Sequence, residues 1–206
     1  MTIDEVMTAA PVIPVLVLDG SVDPAALAQT LVAAGLPVLE VTLRTPQALD
    51  AVRAMASVRG AIVGAGTVLN PAQLDQALDA GAQFIVAPGL TEGLTRAAIA
   101  SGTAYLPGVA TAADIMRGLD HGLSCFKFFP AETSGGLPAL KALAGPFGQV
   151  RFCPTGGITV DSAPNWLAHP AVACVGGSWI VPGGETDLTR IGALARNAAA
   201  LPRTKA

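Results

Sequence analysis

The stretch PVLEVTLRTPQALDAVRAMAS, residues 37–57, contains the unit from which the fold can be predicted. Its first part alternates apolar and polar side chains, which is typical of a β-strand with two different faces. Its second part follows a proline and carries Ala and Leu at helical spacing, which indicates an α-helix. The segment therefore predicts one β-strand followed directly by one helix.

The same unit recurs along the chain. Short Val/Ile/Leu-rich runs begin near residues 12, 38, 61, 84, 104, 125, 150 and 173. Ala/Leu-rich stretches lie between them, and the clearest predict helices over 24–34, 46–57, 71–80 and 91–101. Strand then helix, eight times, is the order of a (β/α)8 barrel, so we predict one compact (β/α)8 TIM barrel, a single domain over residues 1–206. A doubly wound open sheet is the alternative, although it usually has fewer strands.

Composition excludes several classes of protein. Of the 206 residues, 51% are hydrophobic and 13% charged, which excludes intrinsic disorder. No apolar run reaches the roughly 18 residues of a membrane span, and Asp4 and Glu5 stand where a signal peptide would be basic. The net charge of -3, without a basic cluster, argues against nucleic acid or an anionic membrane as a partner. We expect a soluble, cytoplasmic protein.

Cysteine and histidine give no sign of a metal site. Cys125, Cys153 and Cys174 match neither a disulfide framework nor a CxxC metal motif, so we expect small core residues. His121 and His169 fall at the C-terminal ends of predicted helices, the opposite end of a barrel from its functional mouth. We therefore expect no metal.

Lys127 is the most informative single residue. The chain has three lysines, and this one lies between Phe126 and Phe128 in an apolar strand. Burying an ammonium group there is costly unless it has a purpose. One interpretation is a structural ion pair or a snorkelling side chain. The other is a lysine kept neutral for attack on a carbonyl, which Schiff-base formation requires.

The strand at 38–43 places Glu40 and Thr42 on the face opposite its apolar residues, so the polar set should point into the barrel. Glu40 and Arg44 could form a structural pair there. Alternatively, Glu40 is a general base and Arg44 binds a substrate carboxylate at the mouth. The sequence leaves both interpretations open.

Glycines mark the ends of three predicted strands. GAGTVLN at 64–70 has Leu69 where a dinucleotide fingerprint needs its third glycine, so we reject that fingerprint, while Thr67 offers a hydroxyl to the mouth. PTGGI at 154–158 and GGS at 176–178 follow the last two strands. Barrels commonly bind phosphate in these two loops.

Taken together, these residues resemble the 2-keto-3-deoxy-6-phosphogluconate (KDPG) aldolase family of class I aldolases, which includes 4-hydroxy-2-oxoglutarate and 2-dehydro-3-deoxy-6-phosphogalactonate aldolases. The likeness covers nearly the whole chain. Four stretches carry it: LEVTLRTP at 39–46, GAGTVLN at 64–70, FKFFPAE at 126–132 and PTGGI at 154–158.

The resemblance implies a role for each matching residue. Lys127 would form the Schiff base, Glu40 would carry the proton, and Arg44 with Thr67 would hold the pyruvate carboxylate. The rest of the substrate site would be Pro88 and Phe129 lining the pocket, Thr155 in the PTGG motif, and Gly156, Gly157, Gly177 and Ser178 at the phosphate.

The implied reaction is reversible cleavage of KDPG to pyruvate and glyceraldehyde 3-phosphate, with 4-hydroxy-2-oxoglutarate as a further substrate. Thr155 favours the phosphogluconate branch, since the galactonate branch tends to have Val there, and Ser178 favours a phosphorylated substrate. The resemblance also implies no cofactor beyond the lysine imine, and a homotrimer. A sugar-phosphate isomerase or epimerase would not need Lys127 to become covalent, and a non-catalytic phosphometabolite-binding protein would tolerate loss of Glu40.

Overall fold

A computed structural model describes residues 1–204 of the chain. The strands alternate with helices, as the sequence predicts, except that the fifth and sixth strands follow each other directly. The strands β1–β9 span Val12–Leu16, Val38–Thr42, Ile62–Gly66, Phe84–Val86, Ala104–Leu106, Gly108–Val109, Cys125–Phe128, Arg151–Pro154 and Val175–Gly177. The helices α1–α9 span Ile3–Thr8, Pro24–Ala33, Ala48–Ala56, Pro71–Asp79, Glu92–Ser101, Ala112–Asp120, Gly136–Ala144, Ala163–Leu167 and Leu188–Ala199.

Local sequence explains where several helices begin. Asp23 and Asn70 accept hydrogen bonds from the first free backbone amides of α2 and α4, and each is followed by proline at the first helical position. Thr111 and Asp114 form a reciprocal capping box at the start of α6. Such caps satisfy amides that have no partner within the helix.

The strands form two parallel sheets. One has six strands in the order β5-β4-β3-β2-β1-β9, and the other has three in the order β6-β7-β8. The prediction of a closed (β/α)8 TIM barrel is therefore wrong: the structure has a six-stranded half-barrel and a separate three-stranded sheet. All eight predicted strand positions agree with the structure to within two residues, so the error concerns closure.

Two breaks in the hydrogen-bond ladder explain the missing closure. The run near residue 104 is split by Pro107, which has no backbone N–H; β5 before it pairs with β4, whereas β6 after it pairs with β7. At the other edge, only the isolated bridges Phe152↔Val172 and Thr155↔Gly176 link the β8 and β9 regions. The sequence analysis counted strands but could not predict these two interruptions.

The apolar core has two parts. The larger lies between the strands and the helices and includes Leu39 and Val41 of β2. The smaller lies on the other face of the strands, contains Phe84 and the three cysteines, and is joined by Val6 and Met7 of α1. All three cysteines are buried and unbonded to one another, which confirms the prediction of core residues.

Candidate active site

The site is centred on a buried contact between β2 and β7. Nζ of Lys127 lies 3.0 Å from Oε1 of Glu40, and their side chains are only 7% and 4% exposed. The Lys127 ammonium also lies 5.3 Å from the centre of the Phe129 ring. The polar face of β2 thus points inward, but the partner of Glu40 is Lys127 rather than Arg44.

Gly66 provides the space that Glu40 occupies. In the pairing of β2 with β3, Gly66 lies beside Thr42, which is two residues beyond Glu40 along β2. A Cβ atom at Gly66 would lie 2.2 Å from Oε1 of Glu40, a distance that no structure tolerates. Residue 66, the second glycine of GAGT, is therefore a glycine because the Glu40 carboxylate occupies the space beside it, and not because the chain binds a dinucleotide.

Arg44 and Thr67 lie beyond the ends of β2 and β3 and contact each other. Nε of Arg44 donates a hydrogen bond to Oγ1 of Thr67 at 3.3 Å. Thr67 has φ of 60°, a left-handed conformation that β-branched residues rarely adopt. Such strain persists where the surrounding structure imposes it, and it is most common at functional sites.

A cavity of about 200 Å³ opens beside these residues. Six of the predicted site residues line it, together with others: Val15, Val17, Arg44, Phe129, Thr155, Gly156, Gly157, Ile158, Gly176 and Ser178. A second, more open cavity of about 540 Å³ shares Val15, Val17, Gly157, Ile158 and Ser178 and continues toward Trp179 and Pro182. The two glycine-containing loops therefore meet on one surface.

Some predicted site residues lie outside the lining of these cavities. Pro88 lines a separate cavity of about 150 Å³ with Leu69 and Thr91. Gly177 lies between two lining residues, and a Cβ there would overlap the Trp179 ring. Phe129 connects the first cavity with Lys127 and Glu40, because its ring lies beside the lysine and also lines that cavity.

Sequence reasoning missed three apolar residues of the lining. Val15 faces Glu40 across the β1–β2 ladder, and Val17 continues the same face of the chain just beyond β1. Ile158 follows the two glycines of PTGGI. Register with Glu40 is the signal that could have identified Val15, because paired residues of neighbouring parallel strands share a face.

The histidines lie away from this site. His121 contacts Glu92 of α5 at 2.9 Å, and Nδ1 of His169 accepts a hydrogen bond from the Ala171 amide. Within residues 1–204, no three His, Cys, Asp or Glu side chains lie close enough together to hold a metal ion. No helix of this part of the chain has the length and apolar character to cross a membrane.

The arrangement is suited to carbonyl chemistry. An amine and a carboxylate share a hydrogen bond of 3.0 Å in a buried place. A guanidinium lies at the open end, and the glycines of two loops and a serine hydroxyl lie nearby. A nucleophile next to a base is the usual arrangement for covalent catalysis.

Comparison with known proteins identifies the family. The sequence model of the family described as KDPG and KHG aldolase matches residues 3–194. The chain belongs to the KDPG and KHG aldolase family. Among characterised members, it is 60% identical over 201 residues to the 2-dehydro-3-deoxy-phosphogluconate aldolase of Zymomonas mobilis, covering 98% of this chain and 97% of that protein.

Solved structures of family members superpose closely. The crystal structure of the KDPG aldolase from Zymomonas mobilis ATCC 29191 matches with a TM-score of 0.97, 60% identity and coverage of 98% of both chains. That of Legionella pneumophila KDPG aldolase, with pyruvate captured at low pH as a covalent carbinolamine intermediate, matches with a TM-score of 0.94 and 43% identity. It covers 97% of this chain and 99% of that one.

Proposed function

We propose that this protein is a class I aldolase that reversibly cleaves KDPG to pyruvate and glyceraldehyde 3-phosphate. The observation that carries the proposal is the buried Lys127–Glu40 contact of 3.0 Å. Membership of the KDPG and KHG aldolase family supports the reaction, and the covalent pyruvate adduct in the Legionella enzyme supports a lysine intermediate. The enzyme is a carbon–carbon lyase.

The first half of the reaction forms the imine. Lys127 passes a proton to Glu40, and the free amine attacks the keto carbon of the substrate to give a carbinolamine. Glu40 then returns its proton to the carbinolamine hydroxyl, which leaves as water, so that a protonated imine remains at carbon 2 and Glu40 is again a carboxylate. The two groups lie 3.0 Å apart, so the proton can pass directly between them.

The second half breaks the carbon–carbon bond. A base, Glu40 acting directly or through a water molecule, takes the proton of the carbon-4 hydroxyl as the bond between carbons 3 and 4 breaks. The bonding electron pair moves to the imine and forms an enamine, and glyceraldehyde 3-phosphate departs. The enamine takes a proton at carbon 3, and hydrolysis of the imine releases pyruvate and restores the amine.

The open part of the site would bind the two ends of the substrate. Arg44, supported by Thr67, is placed to bind the pyruvate carboxylate. The Gly156–Gly157 and Gly177–Ser178 loops, with Thr155, would receive the phosphate on backbone amides and hydroxyls. Phosphate binding far from the reacting bond holds the substrate in the geometry for cleavage.

Substrate choice within the family follows from the same loops. Thr155 favours the phosphogluconate substrate, and Ser178 favours a phosphorylated one. We propose 4-hydroxy-2-oxoglutarate, cleaved to pyruvate and glyoxylate, as a second substrate. Pro88 remains a proposed pocket residue, in a neighbouring cavity.

We further propose a single-domain, cytoplasmic, metal-independent enzyme that assembles as a homotrimer and binds neither nucleic acid nor membrane. The family resemblance supports the trimer. Turnover should be unchanged after incubation with a strong chelator. Sedimentation equilibrium would test the trimer directly.

Borohydride trapping tests the function. Pyruvate plus borohydride should add one reduced pyruvate unit per chain, and peptide mapping should find it on Lys127. Lys141, which is exposed on α7, and Lys205 serve as internal controls for nonspecific alkylation. Lys127→Met should abolish both trapping and KDPG cleavage. An adduct on another lysine, or none, would overturn the Schiff-base assignment.

A further inference from the structure

Glu132 ends the FKFFPAE stretch and makes contacts that the aldolase reaction does not itself require. Its Oε1 accepts a hydrogen bond from Nε1 of Trp166 on α8 at 3.0 Å. Trp166 is only 2% exposed and packs against Phe128. Because a buried indole N–H without an acceptor is costly, Glu132 is the partner that allows this tryptophan to be buried.

The backbone of the same segment is bound to the PTGG loop. The amides of Ala131 and Glu132 donate to the carbonyls of Thr155 and Gly156 at 2.8 and 3.0 Å. These bonds continue the β7–β8 pairing beyond its last strand pair, Phe128↔Pro154. The segment after β7 therefore fixes the loop after β8 from one side.

The side-chain stem of Glu132 also packs on the second glycine of that loop. A Cβ at Gly157 would lie 2.8 and 2.9 Å from Cβ and Cγ of Glu132, and Gly157 has φ of 79°. Gly157 is thus a glycine both because of its backbone conformation and because Glu132 fills the space beside it. Removing the stem would leave the glycine free to move.

The charge of Glu132 would oppose phosphate binding if it pointed at the loop. No salt bridge found within residues 1–204 neutralises it. One oxygen instead accepts from Trp166, while Oε2 lies near Gly136, where an added Cβ would be 3.5 Å from it, at the first residue of α7. A carboxylate is favourable at a helix N-terminus, which accounts for its direction away from the loop.

We propose that Glu132 is a positioning residue that, through Trp166 and Gly157, holds the Gly156–Gly157 loop in the conformation that binds the substrate phosphate. This inference rests on the proposed function, because it assumes that the loop receives the phosphate. Glu132 contributes the shape of its side chain and its hydrogen bond to Trp166, and this role does not require its charge. The amide of Gln could replace the carboxylate, whereas Ala could not.

The test compares a phosphorylated with an unphosphorylated substrate. For Glu132→Ala, KM for KDPG should rise about tenfold, the loss expected for one partly buried hydrogen bond to a charged group, while KM for 4-hydroxy-2-oxoglutarate changes less than about twofold. Glu132→Gln should keep both values within about twofold of wild type, since its amide oxygen can still accept from Trp166. Glu92→Ala, an exposed acidic change on α5, is the matched control and should alter neither.

Trp166→Phe provides a second route to the same readout. It keeps the Glu132 stem and most of the ring but removes the indole donor, so KM for KDPG should again rise selectively. If Glu132→Ala does not fold, this variant decides the question. Equal losses for both substrates, or no loss for KDPG, would overturn the positioning role. Failure of the wild-type enzyme to cleave KDPG or to be trapped at Lys127 would instead overturn the proposed function.

Discussion

At the scale of single residues, the site depends on two polar contacts, and each contact has its own structural requirement. The Lys127–Glu40 contact requires a glycine at position 66, because any side chain there would occupy the position of the carboxylate. The Arg44–Thr67 contact requires Thr67 to hold a left-handed backbone conformation. The first contact joins strands of the two sheets, and the second joins the segments that follow the paired strands β2 and β3, so each depends on how separate parts of the chain pack together.

Replacing Glu40 separates its proposed catalytic role from a structural one. Glu40→Gln keeps the shape and an acceptor for Lys127 but removes the base, so kcat for KDPG cleavage should fall by at least about 10²-fold. The melting temperature should change little, because the hydrogen bond to Lys127 can persist. A pyruvate-release assay and thermal unfolding of the same preparation measure both. Near-native turnover, or simple unfolding, would favour a structural Glu40–Lys127 pair.

Substitutions of Thr67 test whether its strained backbone conformation contributes to substrate binding. Thr67→Gly removes a left-handed threonine, a conformation that costs on the order of 1–3 kcal/mol, but glycine also gains entropy in the unfolded chain. Stability should therefore stay equal or rise, while KM for KDPG rises because Arg44 loses its acceptor. Thr67→Ser keeps the hydroxyl and should leave KM near the wild-type value. A destabilised Thr67→Gly would show that the conformation is not strained.

At the scale of elements, α5 and β5 bury two hydroxyl groups that the site does not use. Thr95 on α5 and Tyr105 on β5 are 0% and 3% exposed, and within residues 1–204 neither side-chain oxygen has a partner at hydrogen-bond geometry. Burial raises the pKa of Tyr105 to about 12, and the nearby Thr95 hydroxyl offsets this only in part. The helix and the strand therefore pack closely there, although the packing buries two hydroxyl groups without well-formed hydrogen bonds within residues 1–204.

This packing predicts a loss of stability in alkaline solution. Between pH of about 10 and about 12 an unfolded tyrosine gives up its proton, while Tyr105 in the folded protein keeps it. The unfolded state is therefore favoured as pH rises through this window, by roughly 2–3 kcal/mol at its upper end, and the effect is absent below it. Tyr105 is the only tyrosine of the chain, so its absorbance reports the titration directly. Tyr105→Phe should remove this component of the pH dependence of unfolding; an unchanged profile would contradict the prediction.

Individual strands and helices also show which features of the fold and the site can be predicted from the sequence alone. Alternation in residues 38–43 was sufficient to place Glu40 inward, and the isolation of Lys127 among phenylalanines was sufficient to single it out. The contact between them joins residues 87 positions apart, which the pattern of either strand does not contain. The same holds for Glu132 and Trp166, whose contact depends on how the segment after β7 packs against α8. Local patterns determine strands and their faces, whereas cross-sheet contacts and the break at Pro107 depend on tertiary packing.

At the scale of the whole molecule, the two sheets share their cores although their strand ladders are interrupted. The larger apolar cluster contains residues of both sheets, such as Leu39 of β2 and Phe126 of β7. The smaller cluster likewise joins Phe84 of β4 to Cys125 of β7. Close packing across these contacts holds the two sheets together, because dispersion and hydrophobic burial do not require a continuous ladder of hydrogen bonds between strands. We therefore expect the sheets to unfold together.

The three cysteines can test this expectation because they report on both sheets. Cys125 and Cys153 belong to β7 and β8 of the three-stranded sheet, whereas Cys174 directly precedes β9 of the six-stranded sheet. All three are at most 5% exposed, and burial raises the pKa of the Cys125 thiol, so the folded protein should not react with a thiol reagent. If the sheets unfold as one unit, the three thiols should become reactive at the same denaturant concentration, which mass spectrometry of the labelled peptides can resolve residue by residue. Labelling of Cys125 and Cys153 before Cys174 would show instead that the three-stranded sheet opens first, and that the breaks at Pro107 and between β8 and β9 divide the molecule energetically as well as topologically.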